Sequence, residues 1–156
     1  MSYLLWIIIV IFVIALDQYT KYLASTRLAH YNTVPIIQDV FHLTFVQNRG
    51  AAFGILQNQK VFFIIVTAGV IAGILYYVLR NKPQNRLLLA GLSMIVGGAI
   101  GNLIDRIRYG YVVDFFDFIL INFPVFNIAD SFVVIGTVLL SYYLLFQYEE
   151  KRDGTQ

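Results

Sequence analysis

Residues 61–79 read VFFIIVTAGVIAGILYYVL and contain no charged side chain. An uncharged apolar run of this length is what an α-helix needs to cross the hydrocarbon core of a bilayer. The whole chain has the same character: of its 156 residues, 59% are hydrophobic and 13% are charged, and its mean hydropathy is +0.73. Soluble domains carry about 25% charged residues. This composition therefore excludes a soluble enzyme, and the excess of large apolar side chains also excludes a disordered chain.

Three further apolar stretches accompany this run. Tyr3–Leu16 is too short to span a bilayer by itself, so we expect its helix to continue through Asp17. Leu87–Ile104 and Ser131–Gln147 are both uncharged. Because open strands cannot satisfy their backbone polar groups in hydrocarbon, we predict four transmembrane helices. They should lie at about residues 3–23, 61–79, 87–105 and 128–147.

The basic residues indicate the topology. No basic residue precedes the first helix, so we interpret it as a retained helix rather than a cleaved signal peptide. Four helices place both termini on one side of the membrane. The short segment Arg80–Arg86 contains three basic residues, which favours the cytoplasm for that side. The opposite side would hold six basic residues against five, and we give the dense short loop more weight than the total.

The segment 24–60 is long for a loop between two membrane helices. Within it, Val34–Ile37 and Phe41–Val46 are rich in β-branched and aromatic residues, and Val112–Ile119 has a similar composition. Asn48–Gly50 reads as a turn. We predict one integral membrane domain over residues 1–156, all-α in class, with a small β-sheet and a covering loop on the extracytoplasmic face. A loose amphipathic loop is the alternative to the sheet.

Two glycine pairs have the spacing that lets membrane helices approach each other closely. They are Gly69/Gly73 and Gly97/Gly101. Glycine is also common in membrane helices, and chance accounts for each pair about equally well. These pairs concern packing and carry no information about chemistry.

The residue types present exclude several chemistries. The chain has no cysteine and two histidines, His30 and His42. Disulfides, thiol nucleophiles and thiolate metal sites are therefore excluded, and no H-E-x-x-H zinc motif occurs. We expect neither a metal nor another cofactor. The net charge of +2, spread over scattered basic residues, also gives no footprint for nucleic acid.

Ionisable residues in or beside membrane helices are costly, so each is a candidate for function. Asp17 and Lys21 lie one helical turn apart in the orientation that favours an ion pair, and we interpret them as structural. Asp105 ends the third helix, where a negative charge is disfavoured by the helix dipole, so Arg106 or another cation should compensate it. Together with Asn102 they form a polar cluster that either anchors backbone or binds substrate.

Asp114 and Asp130 have no basic residue close by in the sequence. The segment between them is long enough to leave the membrane surface and return, so the two carboxylates can meet. Two carboxylates in contact share one proton, and the pair can then act as base and acid in peptide hydrolysis without histidine, cysteine or metal. A turn aspartate at 114 and a helix N-cap at 130 are the structural alternative. Asp117 is a rival partner for Asp114, but it should point to the opposite face of a strand.

Five segments of the chain carry a resemblance to a known family. In order they are DQYTK at 17–21, NRGAAFG at 48–54, GAIGNLIDR at 98–106, VVDF at 112–115 and FNIADS at 126–131. They resemble the motif blocks of bacterial lipoprotein signal peptidase, also called signal peptidase II. The match extends from the first predicted helix to the fourth, and five ordered blocks in the same hydrophobic frame are a specific signal.

The resemblance implies an intramembrane aspartyl endopeptidase of the bacterial cytoplasmic membrane. Its substrate would be a prolipoprotein, cut just before a cysteine that carries diacylglycerol, in contact with membrane lipid and near the extracytoplasmic face. Cyclic peptides would inhibit it. The implied catalytic residues are Asp114 and Asp130. The implied residues that hold substrate or support the pair are Asn48, Gly50, Asn102, Arg106 and Asn127, and the implied supporting polar residues are Asp17, Lys21 and Asp105.

Two other functions remain open at this point. In a proton-coupled transporter, Asp114 and Asp130 would relay protons, but we see neither inverted repeats nor paired helix interruptions in the sequence. In a membrane-embedded binding or assembly module, all of the polar residues would be structural. Replacing Asp114 with asparagine would then leave function intact.

Overall fold

The computed structural model describes residues 3–51 and 55–147. Each uncharged apolar run forms a helix, because in a helix all interior backbone groups pair within the segment. The helices are α1 (Tyr3–Thr26), α2 (Lys60–Asn81), α3 (Arg86–Arg108) and α4 (Ile128–Tyr142), and a π-helical turn, Tyr143–Gln147, continues α4. All four are long and apolar enough to cross a membrane.

Three strands form a small antiparallel sheet in the order β1-β2-β3. They are β1 (Thr33–Ile37), β2 (Phe41–Asn48) and β3 (Val112–Asp117). Single 3₁₀ turns, Leu28–His30 and Ile119–Ile121, follow α1 and β3. The prediction of four helices that are able to cross a membrane, with a small sheet, is therefore confirmed. The covering loop was predicted partly on residues 52–54, which lie outside the described residues.

Helix α3 is the centre of the bundle and packs against α1, α2 and α4. Its inner face meets α1 in an apolar core that includes Trp6, Val10, Leu89 and Val96. Helix α2 is peripheral, and Val78 is its one buried residue. The bundle therefore has a tight part, α1-α3-α4, and a helix that covers it loosely.

The sheet is fixed to one end of this bundle. Val113 and Phe115 of β3 pack with Ala24 at the end of α1 and with Leu28 of the 3₁₀ turn that follows it. β3 also follows directly on the C-terminal end of α3. The end of α1, the end of α3, the sheet and the start of α4 thus meet in one place, and nearly all of the polar residues discussed above lie there.

The two glycine pairs differ in the structure. A Cβ added at Gly97 would lie 2.8 Å from Cβ of Val13, so this glycine lets α3 approach α1. A Cβ added at Gly69 or Gly73 would meet no atom within 4 Å. Of the two predicted packing pairs, Gly97/Gly101 serves the helix contact and Gly69/Gly73 serves none among the described residues.

Gly97→Ala should lower the free energy of unfolding by about 1–3 kcal/mol, because its methyl group overpacks the contact with Val13. Gly69→Ala is the matched control and should leave stability unchanged or slightly higher, since alanine favours a helix over glycine. Thermal unfolding of both purified variants in one detergent measures the difference. Equal melting temperatures would show that α1 and α3 do not pack as described.

Candidate active site

Asp114 is buried in the middle of β3, with 2% of its surface exposed. Both of its carboxylate oxygens accept hydrogen bonds from asparagine side chains. Asn48 Nδ2 donates to Oδ2 at 2.9 Å, and Asn127 Nδ2 donates to Oδ1 at 2.6 Å. Asn48 ends β2, and the antiparallel register that pairs it with Val112 brings its side chain beside Asp114. The sheet thus determines which side chain supports Asp114 on one side.

Asp130 lies in the first turn of α4. Its Oδ1 accepts from Asn102 Nδ2 at 2.7 Å, and its Oδ2 accepts from the backbone N–H of Asn127 at 3.3 Å. Asn127 in turn accepts from the backbone N–H of Asp130, so the two residues form a capping box. The structural alternative of an N-cap at Asp130 is therefore wrong: Asn127 is the N-cap, and Asp130 is the third residue of the helix.

Asn127 joins the two aspartates. Its fully buried side chain donates to Asp114 and lies 3.1 Å from Oδ1 of Asn102, while its backbone binds Asp130. Asp114 and Asp130 also line the same cavity of about 600 Å³. Two residues from separate elements, a strand and a helix, thus face one space and are held by one shared asparagine.

Burial of the carboxyl, reinforced by the negative charge of Asp130, raises the pKa of Asp114 from 3.8 to about 7. The two asparagine donors act in the opposite direction because they favour the ionised form, but they are the weaker influence. A proton therefore resides on Asp114 near neutral pH, where an ordinary aspartate would be ionised.

This pKa makes stability depend on pH in a defined direction. Since the folded protein holds a proton on Asp114 that the unfolded chain releases above pH 3.8, the stability contributed by this group decreases as pH rises from about 4 to about 7. The change corresponds to an upper limit of about 4 kcal/mol. Asp114→Asn removes it, so the melting temperature of the variant relative to wild type should be higher at pH 8 than at pH 5. A pH-independent difference would show that Asp114 is ionised throughout.

Lys21 is buried next to the site, and its ammonium group contacts two carboxylates. Its Nζ is 2.9 Å from Asp17 and 3.1 Å from Asp105, and it donates to Oδ1 of Asn102 at 2.8 Å. The cation that compensates Asp105 at the end of α3 is therefore Lys21. All three ammonium protons have an acceptor.

The two carboxylates of this cluster also hold backbone. Asp17 accepts from the N–H of Ala129 at the start of α4, and Asp105 accepts from the N–H of Val113 in β3. Each of these bonds positions the element that carries one of the paired aspartates. Gln18, which the sequence reasoning missed, donates to Asp17 and to Asp105. A polar side chain in an apolar helix was the signal that could have identified it.

Arg106, in the last turn of α3, also lines the cavity. Its guanidinium lies 4.8 Å from the ring centre of Phe63 on α2, and it donates to the carbonyl of Gly50 at 3.4 Å. Gly50 is buried and its N–H binds Asn48 Oδ1 at 2.9 Å. A Cβ there would come within 2.6 Å of the Ile55 carbonyl, so the position requires glycine. Arg106 thus connects the loop after β2 to α3.

Most of the residues singled out from sequence converge on this place. Asn48, Gly50, Asn102, Arg106, Asp114 and Asp130 line the cavity, Asn127 lies buried behind it, and Asp17, Lys21 and Asp105 lie beneath. Asp117 does not join them, because its carboxylate accepts from Thr44 at 2.7 Å on the sheet. Among the described residues, no cluster of three or more His, Asp or Glu side chains is arranged to hold a metal ion.

Fold and site together define a multi-pass membrane protein with two neighbouring carboxylates in a largely apolar cavity. Two solved bacterial membrane enzymes, determined by the in meso method, share this fold. The first matches with a TM-score of 0.85 at 34% sequence identity, and the match covers 97% of this chain and 91% of that enzyme's chain. The second matches with a TM-score of 0.81 at 36% sequence identity, and the match covers 90% of this chain and 92% of that enzyme's chain.

The sequence comparisons identify the family. The family model described as signal peptidase (SPase) II matches residues 9–146. The lipoprotein signal peptidase of Caldanaerobacter subterraneus is 54% identical over 142 residues, which cover 90% of this chain and 96% of the relative. The lipoprotein signal peptidase of Clostridioides difficile is 51% identical over 148 residues, which cover 95% of this chain and 99% of the relative. The chain belongs to the signal peptidase II family.

This membership confirms the resemblance found in the sequence. It makes the chain a membrane protease and supports the cleavage of signal peptides from prolipoproteins. The alternative of a proton-coupled transporter has no support from any of these relatives.

Proposed function

We propose that the protein is an aspartyl endopeptidase that cleaves prolipoproteins within the membrane, just before a cysteine that carries diacylglycerol. Asp114 and Asp130 are its catalytic pair. The observation that carries this proposal is that both carboxylates line one apolar cavity and are joined through Asn127. No other pair of acidic residues in the described part of the chain has this arrangement.

The pair works by sharing one proton. The ionised carboxylate takes a proton from water as the water oxygen bonds to the carbonyl carbon of the peptide, and the protonated carboxyl donates to the carbonyl oxygen. When the resulting tetrahedral carbon collapses, the C–N bond breaks and the proton taken from water passes to the leaving nitrogen. The apolar walls strengthen both steps because they exclude bulk water.

The surroundings divide the roles between the two residues. Asp130 lies in the first turn of α4, where the helix dipole favours a negative charge, and it receives one backbone and one side-chain donor. Asn102, its side-chain donor, is itself polarised by the ammonium group of Lys21. Asp114 is buried in a strand and retains its proton to about pH 7. Asp130 therefore acts as the base and Asp114 as the acid.

Asn102→Ala should lower kcat by roughly 10–100-fold, because the charged member of the pair loses a hydrogen bond of about 1.5–3 kcal/mol. Asn85→Ala is the control, since Asn85 caps the far end of α3 and lies outside the site. An unchanged kcat in the Asn102 variant would remove the role assigned to the Lys21–Asn102 contact.

The cavity suits a substrate that arrives from the bilayer. Val133 and Val134 of α4 belong to its lining, and Val134 is exposed on the outer surface of the helix. Arg106 and Gly50 would then contact substrate or hold the loop that covers it. We place both termini in the cytoplasm and the site near the extracytoplasmic face, where a lipid-anchored cysteine lies at the same depth. A cyclic peptide that fills the cavity would block the pair.

A matched pair of substrates tests this function. Purified protein is given a fluorogenic peptide with a diacylglyceryl-cysteine and, in parallel, the same peptide with an unmodified cysteine. We expect cleavage of the lipidated peptide before the cysteine, identified by product mass, and little cleavage of the other. Equal cleavage of both peptides, or a cut elsewhere, would contradict the proposed specificity.

A further inference from the structure

A second cavity of about 320 Å³ reaches Asp114 from another direction. Its lining residues include Gln47, Arg49, Gln57 and Asn122, which the first cavity lacks, besides Asn48 and Asp114. Asn48 and Asp114 also line the first cavity, together with Ala51, Pro124 and Val125. Asp114 therefore lies at a junction between two spaces.

The two spaces differ in chemistry. The first is bordered by Phe123, Val133 and Val134 on the side of α4, which suits an apolar peptide and acyl chains. The second offers side-chain amides and one guanidinium, which suit the carbonyl and N–H groups of an extended polar peptide. Its rim is ordered by Tyr111, whose hydroxyl accepts from Gln47 Nε2 at 3.2 Å and whose ring lies 5.8 Å from the Arg49 guanidinium.

We propose that this second cavity, defined by Gln47, Arg49, Gln57 and Asn122, binds the first residues that follow the lipidated cysteine. The inference rests on the proposed function. A substrate peptide whose scissile bond lies beside Asp114 extends in both directions from that bond. Its apolar signal-peptide part fits the first cavity. The polar first residues of the mature chain would then occupy the second cavity. Because Arg49 is the one charged residue besides Asp114 among the described residues that line this cavity, an acidic residue after the cysteine should be preferred there.

Site-specific capture tests this assignment, and the absence of native cysteine makes it straightforward. Asn122→Cys marks the second cavity and Val134→Cys marks the first, each combined with Asp130→Asn to prevent cleavage. Two lipidated peptides carry a bromoacetyl group, one on a residue after the lipidated cysteine and one on a residue before it. The substrate's own cysteine does not react, because its sulfur is already bonded to the diacylglyceryl group.

The thiol at position 122 should capture the downstream probe at least about tenfold faster than the upstream probe, because proximity raises the effective concentration. The thiol at position 134 should show the reverse preference. A small thiol reagent, applied to both variants, verifies that each cysteine is reactive. Equal rates, a reversed pattern or no capture at position 122 would overturn the assignment.

Arg49 provides an independent kinetic readout in the active enzyme. Wild type should have a lower KM for a peptide with Glu after the lipidated cysteine than for one with Lys, and Arg49→Gln should abolish this difference while kcat changes little. A preference that survives Arg49→Gln would also overturn the assignment. Retained turnover in Asp114→Asn or Asp130→Asn, in contrast, would refute the proposed function itself, whatever the capture pattern.

Discussion

Asp114→Asn and Asp130→Asn should each lower the turnover of a lipidated peptide by roughly 10³–10⁴-fold, which is the upper range for loss of a general acid or base. An asparagine can neither take a proton from water nor release one to the carbonyl oxygen. The two losses should not add in the double variant, since the residues act as one unit. Initial rates with purified protein in detergent measure all three variants.

Asp117→Asn is the matched control for these variants. Asp117 lies three residues further along β3, but its carboxylate accepts from Thr44 and lines neither cavity. Its replacement should leave turnover within a few-fold of wild type. Melting temperatures of all variants separate lost chemistry from lost folding. A folded Asp114→Asn or Asp130→Asn protein with near-normal turnover would exclude the aspartyl mechanism.

Lys21→Met should lower the free energy of unfolding by about 3–5 kcal/mol, the range for breaking a buried ion pair by removing one partner. Asp17 and Asp105 are 0% and 1% exposed, so neither can reach water when the ammonium group is lost. Asn102 would lose its donor at the same time. Thermal or denaturant unfolding measures the change, and activity should decrease with it.

Two comparisons test this interpretation of Lys21. Lys82→Met replaces an exposed lysine between α2 and α3 and should change stability little. The double variant Lys21→Met/Asp105→Asn removes one of the two uncompensated charges and should recover part of the loss. If Lys21→Met were no less stable than Lys82→Met, the buried cluster would not hold α1, α3 and β3 together as described.

Hydropathy was sufficient to find the four helices, because an uncharged apolar run has few alternatives in a membrane. The strands were also found, since β-branched and aromatic residues cluster in 34–46 and 112–119. The Asp17–Lys21 contact follows from helical spacing alone. These features depend on residues that are close in sequence, and such features can be inferred without a structure.

The contacts that assemble the site join residues far apart in sequence. Lys21 and Asp105 are on different helices, and no local pattern shows that this lysine serves both acids. Asn48 reaches Asp114 only because a register shift between Leu43 and Val46 sets the pairing of β2 with β3. The structural alternative places the N-cap at Asp130 and not at Asn127, and the sequence does not separate the two because both residue types cap helices well. Each of these depends on tertiary packing.

The most direct measurement is an infrared titration of the catalytic pair, with Asp114→Asn as the reference. The carbonyl stretch of a protonated carboxylic acid should be present in wild type at pH 6, disappear with a midpoint near pH 7, and be missing from the variant. Such a band shows that Asp114 holds a proton at a pH where an ordinary aspartate is ionised. If wild type and variant have identical spectra at pH 6, Asp114 holds no proton there, and the account of Asp114 as the acid of a proton-sharing pair is wrong.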